Sequence, residues 1–268
     1  MIRIPTLAAL LVAAVLSACS HAPTAPPAPP APPLATGAPQ SLLWVGNSFF
    51  YYNNSLHGHF GRFVSSAGAQ VRGTSVTISG SGMDWHDLPS LLRPGGIGRY
   101  SFVGDNEIRF NPPGRQFDTV ILMDCSQCPV HPQLKQAFHD TVRRNAEIAR
   151  AQGVRPVLFM SWAYKDKPEM TEQLAAEYTA AGRANGAQVI PVGLAFARAI
   201  ALRPDVELYV ADKRHPSLAG TYLAAATTYA ALFDRNPMSA TDTAGLPADL
   251  ARTLRQAAWD AVQAYKSR

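Results

Sequence analysis

The chain has 268 residues and a formal net charge of +5, with 47% hydrophobic and 16% charged residues. This composition is typical of a globular domain and excludes an intrinsically disordered chain. Basic residues are scattered among acidic ones rather than clustered, so the charge pattern gives little support to nucleic-acid binding.

The first segment has the pattern of an export signal. Residues 1–18 combine Arg3 with an apolar stretch and a small-residue end, which is typical of a secretory signal peptide and too short for a good membrane span. The end of the segment, Leu16-Ser17-Ala18-Cys19, resembles a bacterial lipobox, and this resemblance implies that Cys19 is lipidated. Ser20 then favours an outer-membrane lipoprotein that faces the periplasm and is held at the membrane by its lipid anchor. The alternative is an ordinary secreted protein with a chance cysteine.

A Pro- and Ala-rich stretch follows at residues 19–39. Its repeated Ala-Pro and Pro-Pro steps favour extended polyproline II and therefore a semi-rigid tether. Residues 40–268 remain as one domain, which is long enough to bury a full core.

Within this domain, apolar strands alternate with amphipathic helices. The first strand is apolar throughout, as expected for a strand buried on both faces. This order predicts a parallel sheet covered by helices on both sides, which is an α/β fold with three layers. The predicted strands are 42–45, 70–78, 119–123, 157–160 and 189–190, and the predicted helices are 54–67, 133–152, 170–185, 194–202, 216–233 and 248–265. Residues 88–115 predict mainly loop with a short strand at Glu107–Phe110, and residues 207–210 predict a short extended piece.

Polar residues collect at the predicted carboxyl ends of the strands. Ser48, Gly80, the segment 125–128 and Ser161 all follow a predicted strand. Sites in open parallel sheets lie outside the carboxyl ends of the strands. We therefore expect these residues to surround a functional site.

Ser48 ends the sequence Gly46-Asn47-Ser48 after the first strand. Serine is a weak nucleophile until a base takes its proton. A serine at the start of a helix lies at the positive end of the helix dipole, and its backbone N–H can help to hold an oxyanion. The alternative role for Ser48 is a plain N-cap of the next helix.

Asp212 and His215 lie three residues apart, just before Pro216. A histidine can act as the base near neutral pH, and an aspartate can fix its tautomer and stabilise the imidazolium. Singly, the two residues could be a helix cap and a surface histidine. Together with Ser48 they predict a serine hydrolase site.

Gly46-Asn47-Ser48 and Asp212-x-x-His215-Pro216 resemble the first and last sequence blocks of the SGNH (GDSL-like) hydrolase superfamily. The resemblance covers most of the globular domain. It implies a flavodoxin-like three-layer α/β/α sandwich with a central parallel sheet, and ester hydrolysis without a metal or other cofactor. It also implies that Ser48 is the nucleophile, His215 the base and Asp212 the partner of His215.

The middle blocks of the family match less well. The second block supplies a glycine N–H to the oxyanion hole; Gly80 is nearer to the strand end, and Gly82 is the alternative. The third block reads G-x-N-D and donates an asparagine amide, but this motif is absent here. Gln127 offers the same amide on a longer stem, with Ser126 as the alternative. The predicted oxyanion hole therefore comprises the N–H groups of Ser48 and Gly80 and the amide of Gln127.

Cys125 and Cys128 form a C-x-x-C pair in a chain with an export signal, where a disulfide can persist. We expect a short disulfide that clamps the loop carrying Gln127. The order of strand, C-x-x-C and helix also fits a thioredoxin-like redox site. That alternative leaves the serine, aspartate and histidine blocks unexplained, and two prolines separate the pair from the next helix.

The other histidines lack metal-ligand spacing with carboxylates. The one close pair, His57 and His59, is two residues apart on a predicted helix, which points the rings to different faces. Trp85 and His86, after the glycine loop, and Trp162, after the fourth strand, are expected to line the substrate pocket.

The sequence as a whole predicts a lipid-anchored serine esterase that forms an acyl-enzyme on Ser48. The expected substrate is an O-acetyl or other short acyl ester of a saccharide or small molecule. The alternative is a non-catalytic envelope- or carbohydrate-binding module on the same fold.

Overall fold

The structure is a computed structural model and describes residues 33–268. The predicted signal peptide, the predicted lipidation site at Cys19 and the first part of the predicted tether lie outside the described residues. Residues 33–39, the end of the predicted tether, form no helix or strand and are mostly exposed. Among residues 33–268, no helix has both the length and the apolar character needed to span a lipid bilayer.

Seven strands and eight α-helices are present in this range. The strands are β1 (Ser41–Gly46), β2 (Arg72–Thr77), β3 (Tyr100–Gly104), β4 (Glu107–Phe110), β5 (Thr119–Leu122), β6 (Arg155–Phe159) and β7 (Gln188–Ile190). The helices are α1 (Ser48–Tyr51), α2 (Leu56–Ser66), α3 (Leu88–Leu92), α4 (Lys135–Ala151), α5 (Met170–Ala184), α6 (Val192–Leu202), α7 (Leu218–Phe233) and α8 (Ala248–Lys266). Short 3₁₀ helices lie at Tyr52–Asn54, Met83–Trp85 and Pro237–Ser239.

Five parallel strands form the central sheet in the order β2-β1-β5-β6-β7. β1 lies between β2 and β5, and Leu43 is aligned with Thr74 on one side and Val120 on the other. Every residue of β1 and β5 is buried, as the apolar sequences of these strands predict. This is the strand order of flavodoxin-like folds, and the predicted three-layer sandwich is confirmed.

Helices pack on both faces of the sheet. α2 and α8 pack against α7, whereas α4 packs against α3 and α5. α7 is buried on nearly every side, as its apolar sequence predicts. Thr227 and Thr228 donate their hydroxyl groups to the carbonyls of Leu223 and Ala224 one turn earlier. Because these polar groups are satisfied within the helix, α7 can lie in the core and give the preceding loop a fixed support.

The segment between β2 and β5 contains more regular structure than the sequence predicts. α3 begins after the N-cap Asp87, and β3 pairs with the predicted strand β4 as an antiparallel hairpin, with Tyr100 opposite Phe110. The hairpin is mostly exposed. With no buried face, β3 lacks the alternating pattern by which a strand is recognised in a sequence.

The helix predicted at 54–67 begins two residues later. Asn53, Asn54 and Ser55 all have a left-handed backbone, with φ of 55°, 63° and 71°. Three such residues in succession break the helical path, so α2 begins at Leu56. The four residues of α1 form a separate turn of helix directly after β1.

Candidate active site

β1 delivers Ser48 to the carboxyl edge of the sheet, as the first residue of α1. Gly46 allows the tight turn, since a Cβ at this position would lie 2.8 Å from the ring of Phe50. The N-cap of α1 is Asn47, whose side chain accepts from the backbone N–H of Phe49. Ser48 is therefore not the cap of the helix, and its hydroxyl is free for another partner.

Asn47 also fixes this turn to the neighbouring strands. Its side-chain amide donates to the carbonyls of Ser81 (3.0 Å) and Asp124 (3.2 Å), which follow β2 and β5. Asn47 is buried, where an unpaired amide would be costly. The sequence did not predict this role, although asparagine before a helix is a favoured N-cap.

Asp212 and His215 lie in a tight loop before α7. Oδ1 of Asp212 accepts the backbone N–H groups of Arg214 and His215, both at 2.9 Å. Oδ2 of Asp212 lies 2.5 Å from Nδ1 of His215. The left-handed backbone of Lys213, with φ of 65°, turns the chain so that one carboxylate meets both the loop backbone and the imidazole.

Hydrogen bonding keeps the Asp212 carboxyl ionised. Partial burial raises its pKa, but the hydrogen bonds from the His215 ring and the two backbone N–H groups outweigh that effect and lower the pKa from 3.8 to about 2. An ionised carboxylate can only accept hydrogen bonds, so the proton of a neutral His215 ring belongs on Nδ1. Nε2 is then left as an acceptor, which is the state a general base needs.

Nε2 of His215 lies 2.7 Å from Oγ of Ser48. The two residues are 167 positions apart in the chain, so the fold itself creates the pair. Ser48 is 8% exposed, which screens the hydroxyl from most water but leaves it within reach of the surface. Ser48, His215 and Asp212 thus form a continuous chain of hydrogen bonds, the arrangement in which histidine activates a serine.

Trp162 supports the His215 loop and does not line a pocket. It is fully buried between the parallel rings of Phe49 (4.7 Å) and Phe196 (4.3 Å). Its Nε1 donates to the carbonyl of Arg214 at 2.9 Å. The prediction that Trp162 lines the substrate pocket is therefore wrong, because a side chain packed on both faces offers no surface to a ligand.

His86 is 8% exposed, the same fraction as Ser48, and its place in the lining of the substrate pocket stays a prediction. Its Nε2 lies 3.1 Å from Oγ of Ser81, which in turn donates to the carbonyl of Gly46. Burial lowers the pKa of His86, so the neutral ring serves as a structural donor between the two strand ends. Trp85 is 63% exposed and remains available to a ligand.

Replacing Trp162 with phenylalanine should weaken the His215 loop. Trp162→Phe keeps a ring between Phe49 and Phe196 but leaves the Arg214 carbonyl without its donor. We expect a loss of about 1–3 kcal/mol in the free energy of unfolding, measured by urea denaturation. Trp85→Phe is the matched control and should change the free energy of unfolding by less than about 0.5 kcal/mol. Equal losses in the two variants would contradict this role of Trp162.

The predicted oxyanion donors lie at the ends of β1, β2 and β5. Gly80 has a left-handed backbone, with φ of 72°, in an exposed turn. Among residues 33–268, the N–H groups of Ser48 and Gly80 and the amide of Gln127 donate to no protein acceptor. The alternative donor Ser126 is already hydrogen-bonded to the hydroxyl of Tyr164 at 2.7 Å.

Gly82, the other alternative, lies against acidic side chains. It is buried, and a Cβ here would lie 2.6 Å from a carboxylate oxygen of Asp84 and 2.9 Å from one of Asp124. Burial raises the pKa of Asp124, which accepts the backbone N–H groups of Met83 and Cys125. A negative charge would be poorly placed beside these two carboxyl groups, which favours Gly80 as the donor.

The structure joins Cys125 and Cys128 in a disulfide. The bond closes a small loop around Ser126 and Gln127, and the Gln127 carbonyl accepts the N–H groups of Val130 and His131. Ligand atoms of Asp124 and both cysteines lie within 4.8 Å of one another. With both sulfur atoms bonded to each other, this group lacks the thiolates that would bind a metal ion.

Three histidines outside the site, all within residues 33–268, have protein partners. His59 Nε2 lies 2.6 Å from the Asn53 carbonyl, and His57 Nδ1 lies 2.6 Å from Oγ of Ser55. His139 contacts Glu177 at 2.8 Å. Each contact uses a ring nitrogen for a structural hydrogen bond.

These features define a class: a three-layer α/β/α domain with a Ser–His–Asp hydrogen-bond chain at the carboxyl edge of its parallel sheet. No family model and no curated protein matches the sequence. Solved structures do match the fold. A DUF4886 family protein from Bacteroides uniformis matches with a TM-score of 0.60 and 17% identity, over 84% of this chain and 95% of that protein.

Of two further matching structures, one is named as a lipolytic protein and the other as an esterase. A member of the lipolytic G-D-S-L family from Veillonella parvula matches with a TM-score of 0.52 and 13% identity, over 73% of this chain and 99% of that one. The esterase EstA from Pseudoalteromonas sp. matches with a TM-score of 0.51 and 11% identity, over 73% of this chain and 97% of that one. The domain therefore has the SGNH (GDSL-like) hydrolase fold, and the resemblance predicted from the sequence is confirmed at the level of the fold.

Proposed function

We propose that this protein is a serine hydrolase of the SGNH type that cleaves carboxylic esters. One observation carries the proposal: Ser48 Oγ lies 2.7 Å from His215 Nε2, while Nδ1 of the same ring contacts the Asp212 carboxylate. A hydroxyl, a base and an orienting carboxylate in this order are the parts that acyl transfer through a serine requires.

In the proposed reaction, His215 takes the proton of Ser48 as Oγ attacks the ester carbonyl carbon. The resulting oxyanion accepts hydrogen bonds from the N–H groups of Ser48 and Gly80 and from the Gln127 amide. Collapse of this intermediate breaks the bond to the alcohol, which leaves with the proton from His215. Water, deprotonated by His215, then attacks the acyl-enzyme, releases the acid and restores Ser48.

The substrate class that we propose is an acetyl or short acyl ester on a saccharide or small molecule of the cell envelope. The exposed ring of Trp85 lies at the end of the short 3₁₀ helix that follows the turn carrying Gly80, and it can pack against a sugar ring. The predicted export signal and the resemblance of residues 16–19 to a lipobox support a lipoprotein at the outer membrane, facing the periplasm. Both features fit an envelope ester better than a soluble cytosolic one.

The proposal is tested by labelling and turnover with the full-length protein. EstA is described as an esterase inhibited by monoethylphosphonate, which makes phosphorus reagents a natural choice of probe. We expect hydrolysis of p-nitrophenyl acetate and a single fluorophosphonate adduct, mapped to Ser48 by peptide mass spectrometry. A protein that neither hydrolyses the ester nor reacts at Ser48 would instead be a non-catalytic module on the same fold.

Gln127→Ala tests the amide assigned to the oxyanion hole. Loss of one donor from such a hole lowers kcat by about 10²-fold or more, and we expect this effect without a comparable change in KM. Gln133→Ala, which truncates an exposed glutamine just before α4, is the matched control and should leave kcat unchanged. If the Gln127 variant keeps the kcat of the wild type, another group donates to the oxyanion.

A further inference from the structure

The imidazole of His215 packs against two aromatic side chains, and it is stacked on one of them. The Tyr52 ring lies parallel to it, with a centroid distance of 4.2 Å and an interplanar angle of 7°. Phe49 meets the same imidazole edge-on, at 5.4 Å and 71°. His215 is therefore packed by two rings from the segment that directly follows the nucleophile.

A hydrogen-bonded clamp holds Tyr52 in this place. The next residue, Asn53, donates its side-chain amide to the Pro216 carbonyl (3.0 Å) and to Oγ1 of Thr221 (2.8 Å). The Asn53 backbone is left-handed, with φ of 55°, and its carbonyl lies 2.6 Å from Nε2 of His59. Asn53 thus joins the chain after Ser48 to the residue that follows His215.

Stacking of this kind restrains a rotation that would break the hydrogen-bond chain. Turning the imidazole about its χ2 bond would move Nε2 away from Ser48 and Nδ1 away from Asp212. A parallel ring at 4.2 Å blocks that turn. When His215 takes the serine proton, the imidazolium also lies over the electron-rich face of Tyr52, and this contact favours the charged ring.

We propose that Tyr52 is a positioning residue that keeps His215 oriented toward Ser48 and Asp212. Asn53 holds Tyr52 in the position that this role requires. The role rests on the proposed function, because it acts through the base of the ester hydrolysis. It belongs to the ring and not to the hydroxyl, since Tyr52 Oη has no hydrogen-bond partner among residues 33–268.

The test compares four variants of the full-length protein with p-nitrophenyl acetate. Tyr52→Phe keeps the ring and should retain kcat within about twofold. Tyr52→Leu and Tyr52→Met lose the ring and should lower kcat by roughly tenfold with KM nearly unchanged. Tyr100→Leu is the matched control, because Tyr100 is exposed on the β3–β4 hairpin and its ring packs against Phe102 and Phe110 rather than against His215 or Tyr52. Thermal unfolding of each variant separates a loss of positioning from a loss of fold.

The rate of fluorophosphonate labelling at Ser48 gives a second readout. It should fall in parallel with kcat for Tyr52→Leu and Tyr52→Met, since the same base activates the serine in both reactions. Wild-type kcat in both ring-less variants would overturn the proposal, as would an equal loss in Tyr52→Phe or in Tyr100→Leu. A different result, equal turnover by the wild type and Ser48→Ala, would contradict the proposed function. The proposed role of Tyr52 would then be withdrawn together with that function.

Discussion

Ser48→Ala should lower kcat/KM for p-nitrophenyl acetate by about 10⁴-fold or more, because removal of a serine nucleophile costs nearly all of the catalysis that its triad supplies. The loss should appear in kcat, since the Ser48 hydroxyl is proposed to act on the reacting carbon. Fluorophosphonate labelling should disappear in the same variant. The free energy of unfolding should change little, because the N-cap of α1 is Asn47 and not Ser48.

Ser79→Ala is the matched control for this result. Ser79 follows the end of β2, is exposed, and its hydroxyl contacts only Tyr51 among the described residues. It should keep both its turnover and its fluorophosphonate adduct. Turnover by Ser48→Ala at the wild-type rate would show that the ester is cleaved elsewhere, and the assignment of the nucleophile would be withdrawn.

The fold could be predicted from the sequence because the apolar sequences of its core strands are compatible with few architectures. β1 and β5 are buried on both faces and read as uninterrupted apolar runs, which is the signature of a parallel sheet between helix layers. α7 is apolar on all sides for the same reason. The exposed hairpin of β3 and β4 has no such requirement, so nothing in its pattern marked β3 as a strand.

The hydrogen-bonded trio of the candidate site could be predicted because few residue types can serve as nucleophile, base and orienting carboxylate. A serine at a strand end and an Asp-x-x-His pair are rare enough in combination to name Ser48, Asp212 and His215. Whether an aromatic residue faces a ligand or the core depends on tertiary packing, which the sequence does not encode locally. Trp162 was misassigned for that reason, since its side chain is fully buried.

The residues that join the two halves of the site were missed. Asn47 bonds to carbonyls after two other strands, and Asn53 bonds to the loop that begins α7. Both contacts bridge long stretches of sequence, so only the folded chain reveals them. The one local signal was the run of asparagines at 53–54, since asparagine tolerates the left-handed backbone found there.

Asp212→Asn should lower kcat by about 10⁴-fold while the geometry of the loop persists. An asparagine can still accept the backbone N–H groups of Arg214 and His215 through its oxygen, so the turn should remain folded. The amide nitrogen, however, can donate to the imidazole and favour the tautomer with the proton on Nε2. That tautomer cannot take the proton of Ser48. The neutral side chain also gives no stabilisation to the imidazolium that forms during attack.

The free energy of unfolding at acidic pH separates the contribution of the Asp212 charge from that of its hydrogen bonds. The pKa of this carboxyl is lowered in the folded protein to about 2, against an ordinary value of 3.8. A lowered folded-state pKa means that the carboxylate contributes stability above about pH 4, and that this contribution is lost as the pH falls toward about 2. The wild type should therefore lose stability more steeply than Asp212→Asn across this interval, as measured by urea unfolding at each pH.

Asp166→Asn is the matched control for both effects of Asp212→Asn. Asp166 is an exposed carboxylate that lies 3.7 Å from Lys213 of the same loop, so its removal changes the local charge without touching the imidazole. It should leave kcat within about twofold of the wild type, as expected for a surface charge. If Asp212→Asn retained most of its turnover, His215 would not depend on a carboxylate for its orientation. The stack with Tyr52 would then be the main restraint on the base.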